Sequence, residues 1–550
     1  MDQARAAFHA RSRNTPHLRT DPICAVSALV TSGQGVARAS AGRRPAQSVA
    51  SAADAAPAAG FFSVKSFGAA GDGATLDTAA VNKSIQAANA AGGGTVFFPA
   101  GNYLCYSIHL MSDVALYLDR GATIVAADSP MQGATVPGSY DAAEPNEWTQ
   151  FQDFGHSHWR NSLLWGEGLK NVSLLGPGLI WGKGLSRGAG GQGPRAEQPG
   201  VGNKAISLKN CHNVLLRDFS MLHCGHFCLL ATGVDNLTID NLMLDTNRDG
   251  FDVDCCRNVR ISNCIVNSPL DDAIVLKSSY GLGIAKPTEF VTITNCYVAG
   301  CWQEGTLLDA TYKRNGRGGT GRSKFGTESN GGFRNVTISN CVFEGCQGLA
   351  LESVDGALLE DVTITNISMR DIISAPIFLR LGRRMRGPKD LQIGTLKRII
   401  IDNLVCSNSV ARLGSIISGI SGHPIENVKI SNVQVQHQGG IEAAAAAIQP
   451  PEAETGYPEP GMFGSMPSHG FYIRHAREID LSNIEIIPVK EDLRPAFVLD
   501  NVQGADFFRI RTPKVGDAPV FALRNASDFS VRFCKGVPDT QLDKAENKML

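Results

Sequence analysis

Along most of this chain, apolar and polar residues alternate in short runs. Each run ends in an asparagine, once in an aspartate (Asp218), before another apolar pair. The phrase recurs as NVLLRDFSM (213–221), NLTIDNLML (236–244), NVRISNCIV (258–266), VTITNCYV (291–298), NVTISNCVF (335–343), DVTITNISM (361–369), NVKISNVQV (427–435) and EIDLSNIEI (478–486). A period of two argues strand. One phrase kept in one register so many times argues stacked coils of a parallel β-solenoid rather than an antiparallel meander. The spacing varies from about 22 to 50 residues because loops of different length leave the same coil. Asparagine at a constant place suits a stacked turn, where its amide reaches the next coil and its backbone tolerates unusual angles.

The most regular stretch is 223–278. There His226, Asp249 and Asp272 follow one another at 23-residue intervals, one coil apart. Residues one coil apart lie above each other at the spacing of neighbouring strands, ~4.8 Å. Asp249 is therefore expected beside Asp271 and Asp272 on one face, with His226 one coil away. Carboxylates crowded on a face push at least one pKa upward, which is how an acid and a base arise from one residue type.

Ahead of the repeats, FSVKSFGAAGDGATLDTAAVNKSIQAANAAGGGTVFFPAGNYL predicts a strand, a Gly-Asp-Gly turn, a helix from Asp77-Thr78 and a strand at 95–98. The helix is expected to cover the open end of the solenoid. Long insertions stand at 136–160, 184–203, 300–325 and 441–469, where they would wall a groove. The last, rich in Ala and Pro, reads either as part of that wall or as a flexible flap. Residues 1–58 read as a disordered tail or degraded export signal around Cys24–Thr31, 59–540 as the solenoid, and 541–550 as a C-terminal tail.

Composition adds little: 43% hydrophobic, 19% charged, net charge −1. Nothing in it suggests nucleic acid, and no run is long enough to span a membrane. Of 14 cysteines, Cys264, Cys296 and Cys341 each follow an Asn. They read as a stacked row of small buried side chains rather than disulfides or metal ligands. No metal and no cofactor is expected. His156 and His158 raise metal binding, but no third ligand is visible.

NRDGFDVDCCRNVRISNC…LDDAIVLKS, followed by GTES and GGFRNVTISNC, resembles glycoside hydrolase family 28, the polygalacturonase group of pectin-lyase-like β-helices. The resemblance implies an all-β, single-stranded right-handed parallel β-helix with a short N-terminal capping helix. It implies a monomeric, secreted or periplasmic hydrolase of plant-cell-wall-type polysaccharide or oligosaccharide. Asp249, Asp271 and Asp272 fall on the family's catalytic positions. The expected roles are Asp272 as general acid, its pKa raised by crowding, and Asp249 and Asp271 as activators of water for inversion.

The chain also departs from the family. No histidine stands between His226 and His423, so the family's catalytic-loop histidine is missing, and Arg322 and Lys324 occupy its region. The family's Arg-x-Lys is replaced by Ala350 and Glu352, so either Arg322 and Lys324 hold a uronate or the sugar there is not uronic. Lys277 either orients a carboxylate or closes a salt bridge. His226 reads either as flanking the groove in place of the missing histidine or as a turn residue with no role, and Trp159 as stacking on a sugar or packing beneath its loop. The basic run Arg380, Arg383, Arg384 and Arg386 reads as a solvated face or an acidic-polysaccharide contact. Two other classes remain: a lyase using Arg322 or Lys324 as base with calcium on the aspartates, and a non-catalytic binding module.

Overall fold

A computed structural model describes residues 60–130, 134–152, 154–187, 195–316 and 318–550. The N-terminal tail and its candidate signal lie outside the described residues, as does part of the insertion at 184–203. The repeats form a right-handed parallel β-helix, the hand expected for parallel strands joined by crossovers. Each phrase supplies a strand whose inward residues stack on those of the next coil. Val214, Leu237, Val259, Val291, Val336, Val362, Ile399, Val428 and Ile479 make one such column. All are buried, each contributing about 1.5–3 kcal/mol by leaving water.

The bends explain the asparagines. Asn213, Asn236, Asn258, Asn340, Asn366 and Asn403 all have φ between 53° and 60°, a left-handed turn that Asn tolerates better than most residues. Their amides form ladders from coil to coil: Asn236 Nδ2 donates to Asn213 Oδ1 at 2.6 Å, and Asn366 to Asn340 at 3.0 Å. Cys264, Cys296 and Cys341 are buried, free and in register, as a row of small interior side chains requires.

Helix α1 (Thr78–Ala90) buries Val81, Ile85 and Ala88 over the first coil. Asp77 precedes it without capping it. Its carboxylate instead accepts from Ala70 N at 2.6 Å and Gly71 N at 2.9 Å, closing the loop before the helix. The C-terminal end differs from expectation. Residues 541–550 are not a tail: Thr540–Met549 is a strand antiparallel to Phe521–Arg532, covering the last coil's open edge.

The sheet that bears the site runs through Lys204–Lys209, Phe227–Thr232, Asp249–Asp254, Ile274–Ser278, Ser323–Ser329, Leu349–Ser353 and Ile377–Leu381. Its outer face is covered toward the C-terminal coils. The insertion around 441–469 is not loose but docked. Phe463 and Met466 are buried against an outer apolar column of Ala350, Phe378, Ile416 and Tyr472. Arginines projecting from the sheet hold its backbone: Arg380 donates to Glu452 O at 2.9 Å, Arg474 to Pro450 O at 2.8 Å and Pro451 O at 2.7 Å, and Arg524 to Ala446 O at 2.7 Å. Arg380 is thus neither a solvated face nor a polysaccharide contact, being buried by this work. Arg383 and Arg384 pair with Glu454 and Asp355.

Candidate active site

Parallel register sets the site out coil by coil. Phe227 pairs with Asp249, Phe251 with Ile274, and Ile274 with Ser323. Gly250 N donates to Asp272 O at 3.0 Å, so Asp249 and the Asp271–Asp272 turn lie on adjacent coils. Arg322 and Lys324 stand one coil further, and Glu352 one beyond that.

The carboxyl groups have different surroundings. Asp249 is buried and faces His226, Nε2 to Oδ2 3.4 Å. Burial, followed by the charges of Asp271 and Asp252, raises its carboxyl well above the ordinary range, and Lys277 does not offset them. His226 cannot supply a compensating charge. It is stacked on Phe227 at 4.0 Å, and burial, with Arg248 nearby, holds its imidazole well below the usual pKa. Asp271 is the more open carboxylate and accepts from Arg248 Nε at 3.1 Å. One of its oxygens, one of Asp249 and a ring nitrogen of His226 lie within 4.8 Å of one another.

Asp272 reverses the expectation that crowding raises it. Burial acts that way, but Arg322, Lys324 and Lys277 outweigh it and hold the carboxyl at about 2. Arg322 Nε donates to Asp272 Oδ1 at 2.6 Å and Lys324 Nζ lies 3.4 Å from Oδ2. Of the aspartates on these two coils, Asp249 is therefore the one that holds its proton above the ordinary range and Asp272 the ionised one. The sequence signal failed because Arg322 and Lys324 arrive from a coil lengthened by the insertion at 300–325.

The other expected residues divide. Lys277 closes a salt bridge, Nζ to Glu328 Oε2 3.0 Å, with Asp252 at 3.9 Å. Arg322 and Lys324 do reach the face, but each is already matched. Arg322 Nη1 donates to Glu459 Oε2 at 2.8 Å and Nη2 to Oε1, while Lys324 lies 3.6 Å from Glu352 and 3.8 Å from Glu459. Glu352 is fully buried, neither oxygen has a hydrogen-bond partner, and burial pushes its carboxyl up to about 8 despite Lys324 and Arg322.

Trp159 does not face a sugar. It is 1% exposed, packed with Phe227 and Leu230, and its indole N–H donates to Thr232 Oγ1 at 3.0 Å. Trp159→Ala should accordingly cost about 3–5 kcal/mol of stability and leave KM within about twofold. Urea unfolding and substrate kinetics check this, and a raised KM at unchanged stability would restore the stacking role. The His-x-His pair is split: His158 stacks on Phe154, while His156 lies 3.6 Å from Asp252.

Sequence reading missed Asp252, Glu328, Tyr457 and Glu459. Asp252 was legible, since in DGFDVD it lies three residues past Asp249 on an outward-facing position. Glu328 stands in the quoted GTES. Tyr457 and Glu459 carry no signal. They come from an insertion 130 and 137 residues beyond the groups they meet, Thr327 and Arg322.

Residues 61–161 match the family model "Rhamnogalacturonase A/epimerase, pectate lyase-like" and residues 146–300 the model "Glycosyl hydrolases family 28", a span that contains all three aspartates. A probable polygalacturonase of Vitis vinifera is 26% identical over 248 residues, 42% of this chain and 48% of that protein. Mannuronan C5-epimerase AlgE3 of Azotobacter vinelandii is 47% identical over 89 residues, 16% of this chain and 4% of that protein. The matches thus span less than half the length of these curated relatives. The family 28 exopolygalacturonase structure from Yersinia enterocolitica superposes with a TM-score of 0.60 at 17% identity, covering 83% of this chain and 79% of that one, a likeness of fold. The resemblance read from NRDGFDVD and LDDAIVLKS thus recurs in these matches: residues 146–300 are similar to glycosyl hydrolases of family 28, and the fold is a parallel β-helix like that of the family 28 structure.

Proposed function

We propose that the protein hydrolyses glycosidic bonds in a pectin-type polysaccharide or oligosaccharide, with inversion. The observation that carries this is the split in protonation between two carboxyls on adjacent coils. Asp249 keeps its proton above the ordinary carboxylate range, and Asp272 is ionised down to about 2. A pair of acids whose surroundings push their pKa values apart is what a general acid and a general base require. Asp249 then protonates the leaving oxygen. Asp272, its carboxylate turned toward the opposite neighbouring coil, takes a proton from water as that water attacks the anomeric carbon. Inversion needs the two carboxyls roughly 6.5–9.5 Å apart. Asp271, held by Arg248, adds negative charge beside the developing oxocarbenium ion.

The lyase alternative is disfavoured by its own base. Burial and Arg322 pull the Lys324 ammonium down, but Asp272 and Glu352 hold it above its ordinary range, and Arg322 is likewise held high by Asp272 and Glu459 against the pull of burial. Neither gives up a proton near neutral pH.

Incubation with de-esterified homogalacturonan, rhamnogalacturonan, arabinan and galactan tests the proposal, following reducing ends and the ultraviolet absorbance of an unsaturated product. New reducing ends without absorbance, lost in Asp249→Asn and in Asp272→Asn, are expected. Absorbance that survives both substitutions would establish a lyase. Silence on every polymer would leave a binding protein.

A further inference from the structure

We propose that the wall formed by Arg322, Lys324, Glu352 and Glu459 takes an uncharged sugar residue and turns a uronate away, with Glu459 setting that choice. This rests on the glycoside-binding reading of this face and narrows it.

A uronate carboxylate is held in a protein by a cation whose charge is not already matched. Here both cations of the wall are matched. The terminal nitrogens of Arg322 face both oxygens of Glu459, and its Nε faces Asp272. Lys324 stands among Asp272, Glu352 and Glu459 at 3.4, 3.6 and 3.8 Å. Two positive charges thus meet two negative ones, those of Asp272 and Glu459. Glu352, buried without a hydrogen-bond partner and pushed up to about 8, stays protonated at neutral pH and leaves this balance unchanged. Nor do the neighbours have charge to spare: Arg248 lies against Asp271, Lys277 against Glu328, and Arg384 against Asp355. A uronate entering this wall would lose its hydration and gain no matching charge.

Glu459 is also held in place. Its segment is tied down by Arg380 at Glu452 O and Ala453 O, and Thr327 Oγ1 donates to Tyr457 Oη at 2.9 Å. Displacing it would break these contacts as well as its ion pair. Beside it the Tyr457 ring lies over Lys324 and Arg384 yet remains 55% exposed. That surface suits the C–H face of a neutral sugar.

Glu459→Gln keeps the shape and removes the charge, leaving one positive charge of the Arg322–Lys324 pair unmatched. Isothermal titration calorimetry with digalacturonate and with its neutral counterpart galactobiose, at low and high salt, reads the effect. The wild type is expected to bind digalacturonate no better than galactobiose. Glu459→Gln should gain about tenfold for digalacturonate, lose that gain at high salt, and change for galactobiose by less than about twofold. Glu459→Ser serves as a second variant, with melting curves confirming the fold. Unchanged digalacturonate affinity in both variants, or a tenfold preference for digalacturonate in the wild type, would overturn the inference. The binding readout needs no turnover. A charge-dependent gain in a protein that cleaves nothing would leave this inference standing and remove the hydrolase. Rapid hydrolysis of homogalacturonan with affinities indifferent to Glu459 would do the reverse.

Discussion

Asp249→Asn is expected to lower kcat by about a thousandfold while leaving the fold and substrate binding in place. A positioned general acid contributes on the order of 10²–10⁴, and an amide of the same shape cannot donate the proton that the leaving oxygen needs. The wild-type pH profile should carry the signature of the two carboxyls. On the acid side, activity rises as Asp272 ionises, near pH 2, because Arg322, Lys324 and Lys277 overcome the burial that would raise it. On the alkaline side it falls as Asp249 loses its proton, above the ordinary carboxylate range, because burial and the neighbouring Asp271 and Asp252 oppose its ionisation. Asp249→Asn should remove the alkaline limb from whatever activity remains, and Asp272→Asn the acid limb. Steady-state rates from about pH 1.5 to 9 on the polymer that the screen identifies would read both limbs. An alkaline limb that persists unchanged in Asp249→Asn would move the acid role to another group.

The same two carboxyls act oppositely on stability. Asp249, raised in the folded protein, favours the folded state at low pH and disfavours it progressively as pH rises past the ordinary carboxylate value toward its folded pKa. Asp272, depressed, contributes stability that is fully present above pH 3.8 and lost as pH falls through about 2. Acidic operation therefore favours the catalytic proton while keeping the Asp272 ion pairs intact.

How much of this was legible in the sequence follows from the physics of a solenoid. Register between adjacent coils is local and repetitive, so the strand phrases, the turn asparagines, the cysteine row, α1 and the approach of Asp249 to the Asp271–Asp272 turn could all be read from spacing. What insertions do was not legible. A loop may leave any coil without disturbing the period, and its landing place depends on contacts far away in sequence. Trp159 found Phe227 and Leu230 across such a loop, and Glu459 found Arg322 across another. Protonation failed for the same reason. Asp272 looked like the crowded acid when only its sequence neighbours were counted, and became the stable anion once two cations arrived from the next coil. Thr540–Met549 was missed because its polar text carries no strand period. It pairs because the last coil offers an open edge.

Arg322→Met should separate these effects. The substitution keeps much of the side-chain volume and removes the guanidinium that serves Asp272 and Glu459 together. A buried ion pair broken on one side leaves an uncompensated charge, so the loss should be about 3 kcal/mol at neutral pH. The partly exposed Glu459 can regain water, whereas buried Asp272 must rely on Lys324 and the more distant Lys277. The carboxyl of Asp272 should then rise from about 2 toward its ordinary value. Two readouts follow with a definite sign. The acid limb of activity should move to higher pH. The stability difference from wild type should shrink as pH falls from 4 toward 2, because the wild type, which holds Asp272 ionised down to about 2, loses the contribution of the pairing over that range while the variant has little of it to lose. Urea midpoints at pH 7 and pH 3, with unchanged dependence on urea concentration, would check this. A deficit that stays constant across that range would mean Arg322 acts by packing, and that Asp272 owes its low pKa to Lys324 and Lys277 alone.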